Sequence, residues 1–391
     1  MNFIYMSPHF PPNYYLFSTN LHQLGVNVLG LADEPYNLLR PELKASLTEY
    51  YRVNDMHNYD ELLRALGYFT HRYGKIDRID SLNEYWLETE AKLRTDFNIF
   101  GLKEEIARVK KKSLMKQTFI KAGIAVAQGK VAHTVSDAKR LIKQIGYPVV
   151  AKPDVGVGAA KTYKIHNLAE LEAFFAEKPA VDYILEEFID GVICTFDGLT
   201  DRDGNLVFFT SHQYSQGVME TVNQDNDIYY YSLREIPQDL EDAGRKVLQA
   251  FGVRERFFHF EFFRMKDNRI VALEVNMRPP GGMTTDMFNY ACDIDVYREW
   301  ANIIVHNRFT SDYSRKFHCC YIGRKTNRRY LHSHEQIITT LGDHIVHHEN
   351  ISGVFSAALG QYGYLVRSPE LSQIYDFADY IQTLENRPSS T

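Results

Sequence analysis

The 391-residue sequence predicts a multi-domain α/β protein. Three observations carry this. The chain opens strand–loop–helix–strand (NFIYM, a helical run to about Leu24, then VNVLGLAD), the pattern of a parallel sheet with crossover helices. Its length exceeds that of one ordinary domain. Further on, two runs of strand-forming residues between Phe257 and Asn276 flank a short polar break, which is a hairpin pattern. A hydrophobic fraction of 45% and a charged fraction of 24% belong to a globular chain with ample core.

In order along the chain, Gly25 is placed to end the first helix. The loop before that helix is Pro-rich and lacks GxGxxG, so no dinucleotide fingerprint is present. Asn58–Tyr73 is an amphipathic helix, IDRIDSL a third strand and Glu84–Phe97 another helix. Lys103–Ala122 is helical and carries the cluster Lys110, Lys111 and Lys112, whose ordinary reading is a solvated face. Val135–Ile145 follows as a helix with Ser136 as N-cap. YPVVAKPDVGVGAAKTYKI reads as strand, glycine-bearing loop and strand. There Lys152 ends a buried strand where small residues such as Gly156 and Gly158 let backbone N–H groups approach an anion, or form an ordinary turn. No GKS or GKT follows, so this is not a Walker A loop.

YILEEFIDGVICTFDGL is an apolar stretch with Glu186 and Glu187 in its middle, an exposed bend or a hinge beside a planar ring. Residues 211–231 show no clear periodicity and read as a lid or substrate loop; Tyr229, Tyr230 and Tyr231 line an acceptor pocket or pack in a core. Pro237–Gly252 is a helix, Met283–Ile304 is helical, and the C-terminal part contributes three strands and a helix near Leu371–Leu384. Domains are expected at 1–102, 103–185, 186–311 and 312–391.

The hairpin carries the chemistry. A two-residue turn at Asp267-Asn268 would pair Lys266 with Arg269 and set Glu261 opposite Glu274 and His259 opposite Asn276. Those four would share one face, with Phe258, Phe260, Phe262, Val271, Leu273 and Val275 on the other. Directly opposed acids destabilise a strand pair. A divalent cation is the simplest compensation, and two carboxylates with an amide oxygen suit Mg²⁺. A wet face of an antiparallel sheet is the plainer reading. Arg278 and the Pro-Pro-Gly-Gly turn beside the acids favour an anion site.

Several classes are excluded or disfavoured. A net charge of −6 gives no reason to expect nucleic acid. No apolar stretch is long enough for a membrane span, and the N-terminus lacks signal-peptide character. The four cysteines have no metal spacing and read as reduced thiols of a cytoplasmic protein.

Taken together, KKKSLMKQTFIKAGI, YPVVAKPDVGVGAAK, EEFIDG, FHFEFF and LEVNMRPPGG, in that order, resemble the ATP-grasp superfamily, in its carboxylate–amine ligase and biotin-carboxylase-like branch. The resemblance implies an N-terminal Rossmann-like pre-ATP-grasp domain, two α+β lobes that grasp the nucleotide, and a C-terminal subdomain with β-strands. It further implies ATP with Mg²⁺ (Mn²⁺ as a substitute), Lys112 as the first ATP lysine with Lys116 as the other candidate, and Lys152 on the phosphates. Glu186, Glu187 and Ile189 match the adenine hinge, the last two through backbone groups; Gly156 and Gly158 lie in the phosphate loop. Glu261, Glu274 and Asn276 match the Mg²⁺ ligands, and Arg278 the arginine that steadies the transferred phosphate. Ile193 stands where many members carry a ribose-binding Glu, and Ala159-Ala160 where Ser is common. The implied activity joins a small-molecule carboxylate to an amine through an acyl phosphate. Its rivals are a bicarbonate-using biotin-carboxylase or carbamoyl-phosphate-type ligase and a non-enzymatic ATP-binding module. His212 and His259 read as structural or as acid–base and phosphate contacts, and a homodimer is the oligomeric expectation.

Overall fold

The computed structural model describes residues 1–103, 105–156, 161–217, 221, 225–351 and 353–385. Among them the strands form three sheets. The first is parallel, in the order β3-β2-β1-β4, from β1 (Asn2–Met6), β2 (Asn27–Ala32), β3 (Glu49–Arg52) and β4 (Arg78–Asp80). The opening β-α-β pattern therefore gives the expected sheet, but β3 and the short helix Pro41–Ser46 before it were not anticipated. The strand is only four residues, EYYR, with no alternation to mark it.

The second sheet is antiparallel, β5-β8-β6-β7, built from β5 (Gly129–Val131), β6 (Val149–Pro153), β7 (Tyr163–Ile165) and β8 (Tyr183–Glu187). The helices Val135–Ile145 and Leu168–Glu177 cover it through Ala138, Leu141, Leu171 and Phe174. Thr134, not Ser136, caps the first of these; its hydroxyl accepts from Asp137 N–H at 3.1 Å and the Asp137 carboxylate reaches back, a capping box.

The third sheet comprises β9 (Gly191–Thr200), β10 (Leu206–Thr210), β11 (His212–Tyr214), β12 (Tyr229–Ser232), β13 (Phe257–Met265), β14 (Ile270–Asn276), β15 (His318–Arg324), β16 (Ile345–Asn350) and β17 (Tyr362–Ser368). Its order is β14-β13-β9-β11-β12-β15-β17-β16, with β10 beside β9. The 211–231 segment, read as irregular, thus contributes two paired strands, β11 and β12. Tyr230 and Tyr231 are core residues there. The run Met283–Ile304 is two helices, Thr284–Cys292 and Val296–His306, broken where Asp293 adopts a left-handed conformation, φ 52°. Among the described residues no helix is long and apolar enough to cross a membrane.

The β13–β14 hairpin differs from the expected one at its tip and agrees at its base. Asn268 is left-handed (φ 65°), Asn268 N–H donates to Met265 O at 2.9 Å and Met265 N–H to Arg269 O at 3.0 Å. Arg269 therefore faces Met265, not Lys266: the loop holds three residues, closed by a left-handed Asn. Arg264 pairs with Ile270 and Phe262 with Ala272, one residue out of the expected register. A β-bulge at Leu273 then restores it, so that Glu261 pairs with Glu274 and His259 with Asn276. Between tip and bulge the faces exchange. Ala272, not Val271 or Leu273, joins Phe258, Phe260, Phe262 and Val275 in the core, and Leu273 turns to the same side as Glu274.

That core is closed by helix Gln238–Phe251 and by Met115 and Phe119 of helix Lys112–Lys121. Gly244 is where the first helix meets β9: a Cβ there would come within 2.3 Å of the Phe196 ring. Gly244→Ala should destabilise the chain by about 1–3 kcal/mol despite alanine's better helix propensity. Thermal denaturation followed by circular dichroism checks this, and an unchanged or raised Tm would refute the close packing.

Candidate nucleotide site

Each cationic side chain is delivered by a strand end or a helix start. Lys152 sits near the end of β6, buried, and ion-pairs with Glu186 on the neighbouring strand β8. Lys112 is the first residue of helix Lys112–Lys121, where Asp154 holds the turn: Asp154 O accepts from Lys112 N–H at 2.9 Å, and its carboxylate accepts from Ser113 N–H and Oγ at 2.8 Å each. A carboxylate at a helix N-terminus is well placed electrostatically. Arg278 follows the hairpin and donates to Pro279 O at 2.7 Å; among the described residues it has no carboxylate partner.

These groups surround one cavity of about 550 Å³. Lys112, Lys152, Gly156, Glu186, Glu187, Ile189, Glu261, Glu274, Asn276 and Arg278 all line it, so the structure gathers residues that lie up to 166 positions apart (278 − 112). Gly158 lies outside the described residues. One end of the cavity is apolar, with Ile193, Phe263 and Leu273 as walls and the Lys164 ammonium over the Phe188 ring at 3.4 Å. Ile193, Phe263 and Leu273 were not singled out as apolar walls from the sequence. Leu273 faces inward only because of the bulge, whereas Phe263 shares the Glu261 face by ordinary strand alternation.

Along the hinge, Glu187 N–H is already bonded to Gln128 O at 2.9 Å, so a hinge contact from its backbone can come only through the carbonyl. Ile189 makes no backbone hydrogen bond among the described residues, which leaves its N–H and C=O for a ring edge. Lys116 does not line the cavity. It lies behind Glu186, with its Nζ 2.7 Å from Glu186 Oε2 and 2.7 Å from Ala127 O. Burial alone would raise the Glu186 pKa, but Lys152 and Lys116 overcome it and hold the carboxyl below its usual range. Burial pulls Lys152 down, and Glu186 with Glu274 more than restores it, so its ammonium is held firmly.

The opposed acids are compensated from both sides, contrary to the expectation that a cation alone would relieve them. Lys112 Nζ stands 3.4 Å from Glu274 Oε1, and His259 Nε2 is 3.1 Å from Glu261 Oε1. The set Glu261, Glu274 and Asn276 nevertheless fits Mg²⁺: only oxygens are offered, on one face, opposite cations suited to phosphates. Among the described residues no three His, Cys, Asp or Glu side chains converge as a protein-only metal cage, which is also how Mg²⁺ sites that rely on substrate phosphates are built.

Beneath Glu261 lies a buried relay that the sequence reading caught only in part. Asp197, fully buried on β9, has Oδ1 2.6 Å from His259 Nδ1 and Oδ2 2.7 Å from His212 Nδ1, and accepts from Thr195 Oγ1 at 2.6 Å. His212 and His259 do not line the cavity. An acid within the apolar strand CTFDGL was the available signal for Asp197. Burial opposes the charge on Asp197, but His259 and the hydrogen bonds from both imidazoles lower its pKa to about 2. Burial likewise lowers His259, and the Asp197 charge and bond, with help from Glu261, outweigh it and raise the pKa to about 9.

The ATP-grasp domain family matches the chain over residues 145–286, the span that contains Lys152, the hinge and the whole hairpin. That match covers 142 of the 391 residues. The sequence is similar to the L-arginine-specific L-amino acid ligase of Bacillus subtilis, 25% identical over 245 residues, 60% of this chain and 59% of that protein. The chain thus spans well under two thirds of that relative. The crystal structure of an L-amino acid ligase from Bacillus licheniformis superposes with a TM-score of 0.75 at 14% identity, covering 99% of this chain and 98% of the other. The biotin carboxylase domain dimer of a 2-oxoglutarate carboxylase from Hydrogenobacter thermophilus, solved with Mg-ADP and bicarbonate, matches at 0.68 and 18% identity over 94% of this chain and 86% of that one. At these identities the structural likeness shows the fold alone, shared along nearly the whole chain.

The relay makes a pH prediction. His259 has a folded pKa near 9, above its ordinary 6.5, so its contribution is complete below about 6.5 and is lost as pH rises through 9. Asp197, near 2 against an ordinary 3.8, contributes above 3.8 and loses that contribution as pH falls through 2. Asp197→Asn should lower stability by about 3–5 kcal/mol and flatten the fall in Tm above neutral pH. Melts of the metal-free protein and the variant across that range test this; parallel curves would refute it.

Proposed function

We propose that the protein is an ATP-dependent carboxylate–amine ligase that joins small amino-acid-like substrates. The observation that supports this most is the cavity's layout: an oxygen-only set (Glu261, Glu274, Asn276) faces Lys112, Lys152 and an Arg278 that no carboxylate among the described residues pairs, all lining one cavity. Such a layout suits a polyanion that carries a hard cation. The ligase relatives raise the same reading.

In this reading the adenine lies between Ile193, Phe263 and Leu273, with its edge against the free N–H of Ile189 and the Glu187 carbonyl. Glu261, Glu274 and Asn276 would hold Mg²⁺, which would supply Lewis-acid neutralisation of phosphate charge there. Lys112 leaves Glu274 and Gly156 O, which it contacts at 3.4 and 3.1 Å, for the phosphates; Lys152, anchored by Glu186, stays in place. Arg278 then meets the charge that develops on the transferred phosphoryl group. The substrate carboxylate oxygen attacks the γ-phosphorus and ADP departs, leaving an acyl phosphate. The amine nitrogen attacks the acyl carbon, loses a proton, and phosphate leaves. Gly217 borders the cavity; the lid expected at 211–231 falls partly on residues 218–220 and 222–224, outside those described, while β11 and β12 at its ends are held in the sheet.

A phosphate-release screen across pairs of amino acids, with product masses and hydroxylamine trapping of the acyl phosphate, tests the proposal. Release should require Mg²⁺ and a carboxylate substrate, and a hydroxamate should form. Glu274→Gln and Arg278→Ala should each cut kcat by roughly 10²–10³-fold without loss of fold. ADP release that depends on bicarbonate and yields no amide would instead favour carboxylase-type chemistry. No carboxylate-dependent turnover with any pair would refute the ligase reading.

A further inference from the structure

A second cavity, of about 310 Å³, lies on the far side of the hairpin from the nucleotide site. Its walls come from the loop that follows helix Leu87–Asp96, from the end of helix Gln238–Phe251, and from Arg256 and Met277 at the base of the hairpin. Met277 is the residue after Asn276, and the loop leads through helix Ile106–Lys110 to Lys112; both walls run directly into the first site.

The lining has two characters. Phe100, Leu102, Phe251, Val253 and Met277 supply an apolar floor, and the Arg78 guanidinium lies over the Phe100 ring at 4.5 Å, holding it in place. Among the described residues, Lys103, Arg254 and Arg256 are the charged ones that line the cavity and no acid does; Glu104, next to Lys103, lies outside them. That bias runs against a chain whose net charge is −6. Among the described residues neither Lys103 nor Arg254 has a side-chain partner. Arg256 is 6% exposed; its Nη2 donates to Asp80 Oδ2 at 2.8 Å, but its Nη1 is buried without a partner. An unsatisfied buried guanidinium nitrogen costs free energy unless something accepts from it. The carbonyls at the adjoining helix end do not repel an anion strongly, because Leu248 O and Gln249 O already accept from the N–H groups of Gly252 and Val253.

We propose that this cavity binds a small organic anion with an aromatic or branched apolar body. The body occupies the Phe100–Phe251–Met277 floor, and the phosphate or carboxylate head reaches Arg256 Nη1 between Lys103 and Arg254. A bare inorganic ion would leave the floor unfilled, and an uncharged ring would leave the guanidinium unsatisfied, so neither should substitute.

Calorimetric titration of the full chain, saturated with Mg²⁺ and a non-hydrolysable ATP analogue so that the first cavity is filled, tests the site. The probes are phenyl phosphate and phenylacetate, with inorganic phosphate and phenol as controls. At least one aromatic anion should bind with a Kd below about 1 mM, at least tenfold tighter than either control. Which of the two binds more tightly identifies the head group. Arg254→Glu and Lys103→Glu, both away from the nucleotide machinery, should each weaken that binding several-fold with Tm unchanged. No binding of either anion up to about 10 mM overturns the proposal. So does affinity that both charge reversals leave intact.

Discussion

The pairing of Glu261 with Glu274 is the constraint on which the site depends. Two acids on adjacent strands are tolerated here because Lys112 and His259 stand beside them, and His259 is charged because Asp197 is buried beneath it. Remove the buried carboxylate and the imidazole loses its charge, the upper acid loses its partner, and the hairpin must repel itself or bind a proton. The electrostatics of the cavity mouth are therefore set one layer down, on β9.

The same arrangement explains how the two sheets meet. Helix Lys112–Lys121 packs on the hairpin through Met115 and Phe119, while its first turn is tied to Asp154 just beyond β6. Lys116 and Lys152 then converge on Glu186 from either side. Of the cations Lys112, Lys152 and Arg278, the two lysines have a carboxylate as an interim partner, whereas among the described residues Arg278 has only a backbone carbonyl. A polyanion entering the cavity finds charges already positioned and needs to displace only contacts that are weak or shared.

Much of this was legible from residues. The order of motifs identified the ATP-grasp resemblance, and the opposed acids emerged from simple strand counting. That counting reached the right pairs although its turn was wrong, because the three-residue loop and the bulge at Leu273 offset one another by one residue each. Local propensity could not reveal the bulge, since Leu273 suits either face. Lys112 and Lys116 were both candidates because a helix start and its next turn look alike in sequence; only packing shows that Lys116 is behind Glu186. The extent of the third sheet was also hidden. β12 pairs with β15 across more than eighty intervening residues, and no pattern in either strand names its partner.

That continuous sheet has a consequence for motion. Strands bonded rung by rung cannot slide past one another without breaking every rung, so β9 through β17 must travel as one piece, taking the C-terminal helix Leu371–Gln382 with them. Helix Lys112–Lys121 is fastened to that piece as well, because Ala272 N–H at the outer strand donates to Ala125 O at 2.8 Å. The small sheet β5–β8 is attached by just two covalent crossings, near 127–128 and 188–190. The second crossing includes Ile189, whose backbone makes no hydrogen bond among the described residues, so in the proposed reading the pivot about which the jaw would swing and the edge that would read the base are the same few peptide groups.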